Sequence, residues 1–232
     1  MNIRPTTLLA YPLHRAIDDK WILCLVVAFL ALIATVWPEG LGHLRYDRFG
    51  LANGEMWRVV SAHLVHLNAN HLLLNVSGLV LICELQWGAV SLRHGFALIG
   101  FSALAIDTAL WWLHPELEWY AGLSGALHGL WAGCALSGLM SASKTWPRSF
   151  AAWLAIIRSR FLCLLGLILI AIKLVLEYHF GPSVNTEHLI GGHVVTDAHL
   201  YGACAGLVYV LFWRAIIEAR QFFTLRLISR QS

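Results

Sequence analysis

Gly122-Leu123-Ser124-Gly125-Ala126-Leu127-His128-Gly129 opens an apolar stretch that runs on to Met140. The stretch from Ser124 holds no Asp, Glu, Lys or Arg, and glycines recur at 125, 129 and 133. An uncharged run of this length reads as a membrane helix rather than a half-solvated one. Its small residues, every fourth in sequence, let a second helix backbone approach closely in lipid. A hydroxyl and an imidazole are costly there, so Ser124 and His128 call for partners or a function.

Outward from this stretch lie five more apolar segments, at about 21–37, 71–86, 95–113, 161–178 and 198–213. Each approaches the roughly 17–25 residues that a helix needs to cross hydrocarbon. The chain is 59% hydrophobic and 12% charged over 232 residues, too little polar surface for a soluble domain. The expected fold is therefore an all-α membrane protein, a bundle of six transmembrane helices. No small-x-small cleavage site separates the first segment from Pro38-Glu39-Gly40, so it reads as a retained helix. The expected organisation is an N-terminal arm over 1–20, the helical domain over 21–217 and a basic tail over 218–232.

Orientation follows from Lys and Arg. The arm has Arg4, Arg15 and Lys20, and the second-to-third connection has Arg93. The fourth-to-fifth connection has Lys144, Arg148, Arg158 and Arg160, and the end of the chain has Arg214, Arg220, Arg226 and Arg230. These twelve of sixteen basic residues share one side, which puts both termini in the cytoplasm. Arg45, Arg48 and Arg58 lie opposite, in one long outer loop. The net charge of +3 thus reports topology and implies no nucleic-acid partner. The tail, with Phe222, Phe223, Leu225 and Leu227 between arginines, either lies on anionic lipid or is solvated. Five cysteines without a CxxC read as buried thiols, and neither a metal nor a cofactor is expected.

In this topology the second, fourth and sixth helices run inward, and their first turns share one layer. There stand His71 and Asn75, then Ser124, then His199. His71 and Asn75, four apart, share a helix face. His199, Gly202 and Gly206 put the imidazole above a groove without side chains. If that groove meets the stripe of Gly125, Gly129 and Gly133, Ser124 and His199 come within hydrogen-bond reach. A serine with an imidazole base is the minimum for nucleophilic acyl transfer. The Ser124 amide, at a helix N-terminus, and the His71 and Asn75 side chains can then receive the oxyanion. Singly, such residues are ordinary packing or hydrogen-bonding groups. Four at one depth point to a site.

At these residues the chain resembles the rhomboid intramembrane serine proteases, from about Trp57 to Gly206. The matching parts are Trp57-Arg58, His71-x-x-x-Asn75, Gly122-Leu123-Ser124-Gly125 and His199-x-x-Gly202-x-x-x-Gly206. The resemblance implies a Ser124–His199 dyad without an aspartate, and an oxyanion hole of His71, Asn75 and the Ser124 amide. It also implies a membrane-embedded loop over about 38–70 and a mobile cap over about 179–197. More narrowly, the chain resembles the rhombosortase branch, through His66-Leu67-Asn68-x-x-His71-Leu72-x-x-Asn75, Gly122 to Gly129, and Ala198-His199-Leu200-Tyr201-Gly202. That branch implies a bacterial inner-membrane enzyme opening to the periplasm. Its substrates would be secreted proteins with a C-terminal Gly-Gly motif, a membrane helix and a basic end. One departure stands out: many rhomboids have a tyrosine four residues after the serine, and here it is His128. It can brace His199, or serve as the base itself.

Other polar residues carry smaller expectations. Lys173 and Glu177 read as an i,i+4 ion pair or a helix clasp, with substrate docking second. Glu84 with Arg93 reads as a cytoplasmic anchor. Trp111, Trp112, Trp119 and Tyr120 read as an interfacial belt. Asp107 lies near the outer end of the third helix. His63, His66, His188 and His193 fall in outer loops without zinc spacing, and His66 is expected to stiffen the first loop. Competing readings are a catalytically silent binder of client helices, a transporter, and a metal-dependent protease. An inactive relative would be expected to lack the Ser or the His, and no internal repeat suggests a transporter.

Overall fold

The computed structural model describes residues 13–86, 90–141 and 149–229, and the side chains of 19–86, 90–141 and 149–222. Arg4, Lys144, Arg148 and Arg230, together with the side chains of Arg15, Phe223, Leu225, Arg226 and Leu227, lie outside this description. In chain order come helix α1 (Leu13–Val36), α2 (Gly40–Leu44), strand β1 (Tyr46–Asp47), α3 (Arg48–Ala52) and α4 (Arg58–Ser61). There follow α5 (Ala69–Gln86), α6 (Leu92–Leu113), β2 (Trp119–Tyr120) and α7 (Ser124–Met140). The chain continues through α8 (Phe150–Phe180), α9 (Val184–Ile190) and α10 (Thr196–Ser229).

Five helices, α1, α5, α6, α8 and α10, are long and apolar enough to cross a membrane. Their outward faces are apolar, with Phe29, Leu73, Leu104, Leu169 and Phe212 exposed. This is the surface of an integral membrane protein. The sixth expected helix, α7, has 17 residues and is the shortest of the six. At 1.5 Å per residue it is about 26 Å long, short of the roughly 30 Å of hydrocarbon. It lies at the centre, packed against α5, α6, α8 and above all α10. Its buried residues Ala126, Leu127 and Leu130 join Leu79, Leu98 and Val210 in the main core.

Two helices exceed the length their apolar runs suggested. Ser149 caps α8 by accepting from the Ala152 amide at 3.2 Å, so this helix begins eleven residues before 161. α10 continues to Ser229 through most of the stretch read as a separate tail. Glu84 pairs with Lys20 of α1 at 2.7 Å, not with Arg93. Four cysteines are buried, while Cys204 is exposed on α10.

The closest helix contact joins α7 to α10. A Cβ built on Gly202 would lie 2.0 Å from the Gly125 carbonyl oxygen, and one on Gly206 would lie 2.0 Å from that of Gly129. Backbone meets backbone here, as lipid packing through small residues allows.

Arg45, Arg48 and Arg58 are structural. Arg48 donates to the carbonyls of Leu110, Trp111, His114 and Leu117 at 2.7–3.1 Å, satisfying the open C-terminal end of α6. It also stacks over Trp111. Arg58 is buried, bonded to Glu55 and to the Gly42 and Arg45 carbonyls. Arg45 lies over the Trp119 ring. These charges are held by carbonyls, carboxylates and rings, so each has a structural task of its own. Arg48→Met is expected to lower stability by about 2–3 kcal/mol, read as a depressed melting temperature in detergent. Arg48→Lys recovers little, because one ammonium cannot reproduce the guanidinium fork.

Candidate active site

The segment entering α7 is tied down before it reaches Ser124. β2 pairs antiparallel with β1, Tyr120 opposite Tyr46, and the Gly122 amide donates to the Ala62 carbonyl at 2.8 Å. The Tyr120 hydroxyl donates to the Gly122 carbonyl at 2.9 Å. Burial first, and then nearby Asp107, push this phenol up, so it stays a donor. Gly122 has φ +121°, which a side chain rarely tolerates. The space is also filled, since a Cβ there would lie 2.7 Å from the His71 ring. Ser124 is the first residue of α7, so its amide has no partner within the helix.

His199 comes from the first turn of α10 and is buried. Its Nε2 lies 2.9 Å from Ser124 Oγ, and its Nδ1 lies 2.9 Å from Glu177 Oε2 on α8. Lys173, one turn before Glu177, bonds the other Glu177 oxygen. His128 stacks on His199 with ring centroids 4.2 Å apart and planes 15° from parallel. Its Nδ1–H donates to the Ser124 carbonyl at 2.7 Å. The imidazole facing the hydroxyl is thus that of His199, with His128 as its brace.

Across from this pair stand His71 and Asn75, one turn apart on α5 and both buried. The Leu67 amide donates to His71 Nδ1 at 3.5 Å, which leaves Nε2 to carry the ring proton beside Gly122. Asn75 Nδ2 donates to the His71 carbonyl at 3.1 Å. His66 supports the His71 ring edge-on at 4.8 Å, and its own Nδ1–H donates to the Leu64 carbonyl at 2.9 Å. Burial, and secondarily His71, lower His66 to about 3, so this support is uncharged at neutral pH. The His66 amide also donates to Thr35 Oγ1 at 3.2 Å, joining this loop to α1.

His71, Asn75, Ser124, His128, Glu177 and His199 border one cavity of about 1070 Å³, with Leu74, Leu169, Ile172 and Leu176 as apolar wall. Polar chemistry inside an apolar wall is the usual form of a binding site. Above it, Asn68 accepts from the His71 amide at 2.9 Å and donates to the Ile190 carbonyl at 2.8 Å. Asn70 donates to the Leu189 carbonyl at 3.3 Å, so two asparagines tie α9 to the start of α5.

Ser124, His199, His71, Asn75 and His128 therefore converge, and Gly122, Gly125, Gly202 and Gly206 let them do so. Sequence reasoning gave Glu177 no part beside His199, gave Asn68 no role and assigned Tyr120 to the interface. Of the proposed belt only Trp112 is well exposed; Trp111 and Trp119 serve the arginines. His63 and Asp107 form a buried pair at 3.2 Å. His193 pairs with Glu187 of α9 at 2.5 Å. Donor atoms of His128, Glu177 and His199 lie within 4.8 Å of one another. Stacked rings aim their lone pairs along parallel lines, a poor match to one tetrahedral ion.

The rhomboid domain family matches residues 53–215, well over half of the chain. The chain belongs to the rhomboid family. Rhomboids are intramembrane serine proteases, and the matched region includes Ser124, His199, His71 and Asn75. No curated protein matches the chain.

Proposed function

We propose that this rhomboid is an active intramembrane serine endopeptidase, with Ser124 as nucleophile and His199 as general base. The observation that carries the reading is the 2.9 Å contact between Ser124 Oγ and His199 Nε2. It borders a cavity whose opposite wall offers His71 and Asn75 to an oxyanion. In this reading α7 is the sixth span, both termini are cytoplasmic, and the cavity opens to the periplasmic side of a bacterial inner membrane. Bound protein segments are cut near that face.

The substrate class we propose is the C-terminal Gly-Gly sorting tail of secreted proteins. The rhombosortase-like motifs around His71, Ser124 and His199 support it. So does the energetics of unwinding. A scissile bond in a membrane helix is shielded by its own hydrogen bonds, and glycine disfavours helix by about 1 kcal/mol relative to alanine. A Gly-Gly pair lowers the cost of exposing the bond to Ser124.

Fluorophosphonate labelling of the purified protein in mild detergent tests the function. Wild type is expected to label, His128→Ala to label more slowly, and Ser124→Ala and His199→Ala not at all. A well-folded wild type that fails to label would favour the client-binding reading. Loss with His128 but not with His199 would move the base to α7.

A further inference from the structure

Glu177 has no assigned part in a Ser–His dyad, yet its carboxylate touches the base. Oε2 lies 2.9 Å from His199 Nδ1, on the side of the ring away from Ser124. The Glu177 side chain is 15% exposed and that of His199 is 6% exposed, so water competes little for the bond. A carboxylate can only accept, so the contact requires the proton on Nδ1. That leaves the lone pair on Nε2, directed at the Ser124 hydroxyl. Oε1 is meanwhile bonded to Lys173, which fixes the carboxylate's rotation. An ion pair along one face of α8 accounts for Lys173 alone; it does not require the second oxygen to meet a ring on α10.

Resting on the protease reading above, we infer that Glu177 is a positioning residue that converts the expected dyad into a Ser124–His199–Glu177 triad. Lys173 lies 3.3 Å from Nδ1, farther than Glu177 Oε2, so the nearer carboxylate dominates the local field. In acylation, Ser124 Oγ bonds to the scissile carbonyl carbon, whose π pair moves to oxygen. The hydroxyl proton passes to His199 Nε2, and Glu177 holds the imidazolium through Nδ1–H. As the pair returns from oxygen, the C–N bond breaks and the Nε2 proton goes to the departing amine. Water then attacks the acyl carbon, again giving its proton to Nε2, and Ser124 leaves with that proton. Glu177 stays ionised throughout, as such carboxylates do.

The test is the rate of fluorophosphonate labelling of the full-length protein in detergent, with the melting temperature read in parallel. Glu177→Gln and Glu177→Ala are expected to slow labelling by about 10²–10⁴, the range lost with a triad carboxylate. Glu177→Asp is expected to recover much of the rate. Added formate should accelerate Glu177→Ala, because the vacated position borders the cavity, and leave Ser124→Ala inert. If Glu177→Ala does not fold, Glu177→Gln and Glu177→Asp decide. Folded Glu177→Gln labelling at the wild-type rate overturns the triad, as does a rate loss that merely follows melting temperature and resists both Asp and formate. If His199→Ala labels normally, the failure lies instead with the protease reading.

Discussion

Cleavage of a membrane-anchored reporter with a Gly-Gly-containing transmembrane segment is expected to fall about 10⁶-fold in Ser124→Ala, and by as much in His199→Ala. The Ser124–His199 double variant should be no worse than either single one. In the proposed reading, Ser124 and His199 act as a unit through their 2.9 Å contact, so removing one leaves the other without a task. Activity remaining over the uncatalysed rate would come from His71, Asn75 and the Ser124 amide. Proteoliposomes with single-turnover quenching would measure it. Penalties that add in the double variant would mean that the two residues serve different steps.

The second large effect concerns α7 and α10. Gly202→Ala and Gly206→Ala are each expected to cost about 3 kcal/mol, and the leucine variants to prevent folding. A Cβ 2.0 Å from a carbonyl oxygen must move roughly 1.5 Å to reach ordinary contact, and both neighbours are backbone. The helices must separate, and His199 leaves Ser124 with them. Labelling should therefore collapse even where alanine permits folding, since about 1 Å of misplacement can cost 10²-fold. Gly100→Ala on α6 is the internal control. No atom lies within 4 Å of its Cβ position, so stability should hold or rise slightly. Melting curves and labelling of the same preparations check both expectations.

Much of the site was readable in the sequence because membrane helices make polar residues conspicuous. His71, Asn75, Ser124 and His199 each interrupt an apolar run near the N-terminus of a helix, and the glycines mark where backbones can meet. Glu177 was hidden for a physical reason: with Lys173 four residues earlier, its charge already has a partner along its own helix. Only the rotation of α8 about its axis brings the second carboxylate oxygen to His199, and no periodicity encodes that. The outer arginines were obscure for a related reason. Charge counting treats each Lys or Arg as a label for a side, whereas Arg48 answers to carbonyls about 60–70 residues away. α8 outruns its apolar stretch because Ser149 caps a turn that hydropathy does not mark, and α10 likewise continues to Ser229.

The shortness of α7 bears on how this protein is made. Four of its 17 residues are glycine, a poor helix former, and its largest contact is with α10, which emerges from the ribosome more than fifty residues later. During synthesis α7 lacks its principal partner until α10 arrives. Ser124 and His199 therefore meet only once α10 has been made. A nascent copy that ends before α10 carries Ser124 and His128 but lacks His199. Under the proposed function, the membrane is thereby spared proteolysis by a copy whose helices have not yet assembled.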